Sequence, residues 1–143
     1  MDLSVLLLHN LTCWPLKHLA YLSLNQRINL SKNITKENKK IFVSYFDSKI
    51  RSNNTFNLLN YIKNKNKKSE LYFIIGADNF VKFYKWQNWT KIPKLAKIVI
   101  FARQNYSIRS FSSLMLKKLS KNDWIYVNAK KANISSSLIR KFW

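Results

Sequence analysis

Glycine is nearly absent: Gly76 is the one example in 143 residues. A phosphate-binding motif that needs two glycines therefore cannot occur in this chain. Cysteine is equally scarce. Cys13 stands alone, which excludes an internal disulfide framework and a cysteine-built metal cluster, and fits a reducing cytoplasm. Only two histidines are present, His9 and His18, and neither has a partner at catalytic or metal-ligand spacing, so both read as incidental. No apolar run reaches the ~18–20 residues that a membrane-spanning helix needs. The opening Met1–Leu8 is apolar, but Asp2 stands where a signal peptide carries basic residues, and no small-residue cleavage site follows. A buried strand or a disordered start is the reading for that segment.

Acidic residues are few, six against 26 Lys and Arg, and leave a net charge of +20. Such a balance raises the possibility of a basic nucleic-acid-binding domain without catalysis. The charge is mostly lysine and travels with abundant Asn and Ile. Those residues have AT-rich codons, so genome composition accounts for much of the imbalance. Nucleic-acid binding is thus the alternative, and a basic surface would attract anionic nucleotides in either case.

Hydrophobic residues make up 47% of the chain, enough to bury a core, and the length suits one domain over 1–143 with an atypical start at 1–14. Ser23 is placed to cap a helix carrying Leu24, Arg27, Ile28 and Ile34. Residues 41–46 read as a strand. Asn53-Asn54-Thr55 caps a helix with Phe56, Leu59 and Ile62 on one face. Leu71–Ile75 is continuously apolar and closes on Gly76, as a parallel strand covered on both faces would. Short helices follow around 79–83 and 89–96. Further elements are a strand at 98–101, a helix at 110–119, a strand at 124–127 and a last helix at 135–141. Strands alternating with helices define a parallel α/β sheet, in which ligands bind beyond the carboxyl ends of the strands.

Three stretches carry chemistry. Gly76-Ala77-Asp78-Asn79 follows a buried strand. Glycine there permits a sharp turn and close backbone approach, and Asp78 would offer a carboxylate to ribose hydroxyls. The plainer reading makes Asp78 a helix N-cap. Trp86 and Trp89 flank a polar connection. Either can stack on a flat ring or anchor the core, and Trp89 reads as an anchor. Ile134–Arg140 places Ser135, Ser136 and Ser137 ahead of a short amphipathic helix, an anion site reinforced by the Arg140 guanidinium, or simply a capped helix with a solvated arginine.

In order and spacing, Glu70–Asn79, Trp86, Val99–Arg103 and Ile134–Arg140 together resemble the bacterial nicotinate-nucleotide adenylyltransferases. The similarity runs from about Pro15 to the C-terminus. It implies a Rossmann-like nucleotidyltransferase fold and a role in NAD biosynthesis, with ATP and nicotinate mononucleotide as substrates and Mg²⁺ accompanying ATP. By that resemblance Asp78 holds a ribose, with the Gly76 backbone beside it, and Trp86 stacks on nicotinate. Ser135, Ser136, Ser137 and Arg140 hold ATP, and Arg103 reaches phosphate. Thr55 and Lys17 face the nicotinate mononucleotide. Phe56 stands where the family has Tyr, and Trp14 where it has Asn.

The family opens with a strand and Gly-x-Phe-Asp-Pro-x-His-x-Gly-His, whose histidines touch the ATP phosphates. No such motif is present. In a doubly wound sheet of order 3-2-1-4-5, loss of the first strand leaves two half-sheets. The expectation is an N-terminally truncated chain that keeps much of the substrate platform and turns over little.

Overall fold

The computed structural model describes residues 5–7, 23–106, 111 and 113–128. Two compact units divide the chain, Met1–Tyr61 and Ile62–Trp143. The first holds a β-α-β unit: strand β1 (Val5–Leu7), helix α1 (Leu24–Thr35) and strand β2 (Ile41–Val43). β1 and β2 run parallel, with Val5 opposite Ile41 and Leu7 opposite Val43. The opening apolar segment therefore contributes a strand.

Ser23 does cap α1, and does so through a full capping box. Its hydroxyl accepts from the Gln26 N–H at 3.3 Å, and the Gln26 side chain accepts from the Ser23 N–H at 2.8 Å. The half-buried face of α1 is Leu24, Arg27, Ile28, Ser31 and Thr35. Ile34, also on this helix, is 83% exposed. The helical period brings residues 31 and 35 back under 24 and 28, whereas 34 falls beside Arg27 at the edge of that stripe, in the last turn. The two hydroxyls on the packed face are satisfied within the helix, Ser31 on the Arg27 carbonyl at 2.9 Å and Thr35 on the Ser31 carbonyl at 2.8 Å.

β2 stops at Val43 rather than at residue 46. The Phe46 carbonyl accepts from the Lys49 and Ile50 N–H groups at 2.9 and 3.0 Å, which starts the short helix α2 (Asp47–Ile50) and commits that backbone to a turn. Helix α3 (Thr55–Lys65) begins with Asn54, whose side chain accepts from the Phe56 N–H at 2.8 Å. Its buried face is Thr55, Leu58, Leu59 and Ile62. Phe56, expected on that face, is only half-buried.

The second unit is a three-stranded parallel sheet, order β3-β4-β5, built from β3 (Tyr72–Gly76), β4 (Lys97–Phe101) and β5 (Trp124–Val127). Helix α4 (Ala77–Phe80) follows β3 at once, then 3₁₀ turns at Phe83–Lys85 and Trp89–Lys94; helix α5 (Ser113–Lys118) precedes β5. The stretch at 89–94 is 3₁₀ rather than α. Pro93 lies inside it and can donate no backbone hydrogen bond, which favours a short, tight helix. The described strands thus form a two-stranded and a three-stranded parallel sheet, one in each unit.

The apolar runs are parallel strands as expected, yet they are not covered on both faces. Register aligns Phe73, Ile98 and Trp124 on one face and Ile74, Val99 and Ile125 on the other. The first face is the core. Phe80, Phe83, Ile92, Ile98, Ile100 and Met115 are each under 2% exposed. On the second face Tyr72, Ile74, Phe101 and Ile125 remain 37–49% exposed. With β3, β4 and β5 adjacent in sequence order, the right-handed rule for parallel crossovers puts both connections on one side of the sheet, the side that is packed among the described residues.

Candidate nucleotide site at the strand ends

The site grows from the register of two neighbouring strands. Gly76 is paired with Phe101 at the carboxyl ends of β3 and β4. Asp78 and Arg103 each stand two residues beyond that pair, so both side chains emerge at the same level above the sheet. The Arg103 Nε lies 3.7 Å from the Asp78 Oδ1, an ion pair too long to be a hydrogen bond. The two side chains are 52% and 39% exposed. Oδ1 itself is shielded from solvent and accepts no hydrogen bond among the described residues, so the exposure of Asp78 lies on the rest of its carboxylate. An exposed pair of this kind contributes at most about 1 kcal/mol to stability. The exposed part of the Asp78 carboxylate, next to a cation, is instead open to ligand hydroxyls.

Asp78 is not the N-cap of α4. Gly76 holds that position, and no side chain caps the helix. Asp78 lies in the first turn, where a carboxylate is favoured by the helix dipole. The reason for glycine also differs from the turn argument. Gly76 has φ −75° and ψ 148°, a conformation open to any residue. What it supplies is space: a Cβ there would run into Asp78 Oδ1 and lie 3.2 Å from Arg103 Nε. Gly76→Ala should therefore push the carboxylate off Arg103 while costing less than about 1 kcal/mol, because the Asp78 side chain is short and able to rotate. Thermal unfolding and the Arg103 Nε–H resonance measure the two effects. An unmoved resonance would show that Gly76 is not keeping the pair's space open.

Trp86 follows the first 3₁₀ turn and is half-buried. Its ring packs against Phe83 at 5.4 Å and Phe73 at 6.1 Å, so it belongs in part to the core. Trp89 meets Phe83 edge-on at 6.2 Å, as an anchor should. Thr55, in the first unit, is 6% exposed and heads α3. Lys17, Ser135, Ser136, Ser137 and Arg140 lie outside the described residues, as do His9 and His18. The structure thus brings together Gly76, Asp78 and Arg103.

Sequence reasoning missed the turn that carries Arg103. Residues 103–106 form a tight reversal in which Asn105 has φ 65°. The adjacent polar residues Gln104 and Asn105 after an apolar strand were the available signal, since Asn is among the side chains that tolerate the left-handed region.

A parallel sheet with acidic and basic side chains gathered at its carboxyl ends places the chain in the α/β class whose ligands bind beyond those strand ends. The model of one family, described as cytidylyltransferase-like, matches residues 8–142. Within that class the chain belongs to the nicotinate-nucleotide adenylyltransferase family. It is 42% identical over 127 residues to a probable nicotinate-nucleotide adenylyltransferase of Pelagibacter ubique, covering 89% of this chain and 70% of the relative. The corresponding protein of Aquifex aeolicus is 29% identical, with 86% and 76% covered. Among solved structures, Plasmodium falciparum nicotinic acid mononucleotide adenylyltransferase complexed with APC superposes with a TM-score of 0.67 at 26% identity, covering 84% of this chain and 62% of that one. The same protein complexed with NaAD gives 0.65 at 25%, with 85% and 61% covered. The chain therefore spans less than two thirds of those solved chains. These matches lend no support to the nucleic-acid-binding alternative. No helix among the described residues is long and apolar enough to cross a membrane.

Proposed function

We propose that this chain binds ATP and nicotinate mononucleotide at the carboxyl ends of its parallel strands, as a cytoplasmic nicotinate-nucleotide adenylyltransferase of NAD biosynthesis. The reaction is attack of the mononucleotide phosphate on the α-phosphorus of ATP, releasing pyrophosphate and forming nicotinate adenine dinucleotide. The observation that carries the reading is the meeting of Asp78 and Arg103 beyond adjacent strand ends, over a glycine that leaves them room.

In this reading the Asp78 carboxylate accepts ribose hydroxyls beside the Gly76 backbone, and Arg103 turns to phosphate when a nucleotide is present. The exposed part of Trp86 stacks on the nicotinate ring, with Thr55 and Lys17 toward the same substrate. Ser135, Ser136, Ser137 and Arg140 hold ATP. The reading keeps a single nucleotidyltransferase-like domain over 1–143. Mg²⁺ enters as part of the ATP substrate. Among the described residues no three His, Cys, Asp or Glu side chains gather to hold a dication, and the Arg103 charge beside Asp78 opposes one there.

Calorimetric titration tests this. Trp86→Ala should weaken nicotinate mononucleotide by roughly tenfold or more while leaving ATP within about twofold, since stacking on one aromatic is worth about 1–3 kcal/mol. The titration is run well below the variant's melting point, because Trp86 also packs on Phe73 and Phe83. Equal weakening of both ligands would sink the ring assignment.

A further inference from the structure

We propose that Tyr126 is a positioning residue for Arg103, acting through the turn that leaves β4; the inference rests on the nucleotide-site reading above. The Arg103 side chain is 52% exposed, and its ion pair with Asp78 is 3.7 Å long. That contact does not fix a guanidinium by itself, so the direction of the side chain depends on its backbone.

The backbone is tied on both sides of Arg103, and both ties run to β5. Before it, the Ala102 N–H donates to the Val127 carbonyl at 3.0 Å. After it, the chain reverses. The Tyr106 N–H donates to the Arg103 carbonyl at 3.1 Å, and the two residues form an antiparallel bridge. The Tyr126 hydroxyl then donates to the Tyr106 carbonyl at 3.3 Å, across twenty positions of sequence. Tyr126 is itself held at the ring, which meets Phe111 at 6.0 Å and 66°, and Phe111 is 5% exposed. A core-anchored phenol thus reaches up from the strand to pin the far end of the turn. Asn105, at φ 65°, lets the turn close within four residues.

The test is a double-mutant cycle on binding of nicotinate adenine dinucleotide by the 143-residue chain. Tyr126→Phe removes one hydroxyl and keeps the ring on Phe111. It should weaken binding roughly three- to tenfold, the worth of one hydrogen bond. Arg103→Ala should weaken it roughly ten- to hundredfold, the worth of a charge-assisted contact. In the Arg103→Ala background, Tyr126→Phe should have no further effect, because the group it positions is gone. Asn105→Gly, which keeps the left-handed residue, should leave affinity unchanged.

A purely structural Tyr126 predicts something else: a lower melting temperature with unchanged affinity, or losses that simply add. Either outcome overturns the positioning role while Arg103 still contributes. If Arg103→Ala binds like the parent, or the parent binds no dinucleotide, the site reading fails and takes this inference with it.

Discussion

Given ATP and nicotinate mononucleotide, the 143-residue chain should release pyrophosphate at least roughly 10⁴-fold more slowly than relatives that carry the paired histidines. Adenylyl transfer is largely a matter of holding two phosphates in line and stabilising the charge that builds between them. Each lost transition-state donor costs about 10²–10³ in rate. The family pattern that supplies two of them requires two glycines, and this sequence has one, at position 76. The features gathered at the strand ends bear on binding. Asp78 is partly exposed and lies beside a cation, and neither histidine stands at motif spacing to it. A continuous pyrophosphate assay, paired with calorimetry, separates loss of chemistry from loss of binding. Turnover near that of the histidine-bearing relatives would overturn the expectation.

Phe83→Ala should destabilise the second unit by about 3–5 kcal/mol, the usual cost of deleting a buried aromatic side chain. The residue is 0% exposed and touches three other rings: Phe80 at 5.3 Å, Trp86 at 5.4 Å and Trp89 at 6.2 Å. It is the hub through which two 3₁₀ turns are fastened to the sheet. The loss rivals the whole stability of a small domain, so the variant should unfold at markedly lower denaturant. Urea titration followed by tryptophan fluorescence reads both consequences, because Trp86 and Trp89 lose a shared neighbour. A cost under about 1 kcal/mol would mean that this cluster is not the core of the unit.

The two expectations draw on different levels of the molecule. Absence of a histidine motif is visible in a string of letters, since chemistry needs residues that are either present or not. The hub role of Phe83 was not visible. Nine phenylalanines are spread along the chain, and periodicity is of little use in 3₁₀ turns of three to six residues.

Gly76 and Asp78 show the same division within one tetrapeptide. Their importance was legible, because a lone glycine after an apolar run marks a strand end. Their physical roles were not. The sequence suggested a sharp turn and a capping aspartate. The structure has an ordinary backbone at Gly76, a missing side chain that leaves room, and an aspartate inside the helix. Only coordinates reveal that a Cβ would collide with a carboxylate two residues on and crowd a guanidinium from the neighbouring strand.

Local order was therefore written in the sequence: the Ser23 cap, the three apolar strands of the second unit, and the helix headed by Asn54. Each depends on interactions within a few residues, or on a hydrophobic period that any packed environment will read in the same way. Tertiary structure decided which face of the sheet is buried, which residues stand level beyond the strand ends, and which hydroxyl pins the Arg103 turn. Those outcomes depend on register and crossover hand, which join residues about twenty-five positions apart in sequence and leave no periodic trace along the chain.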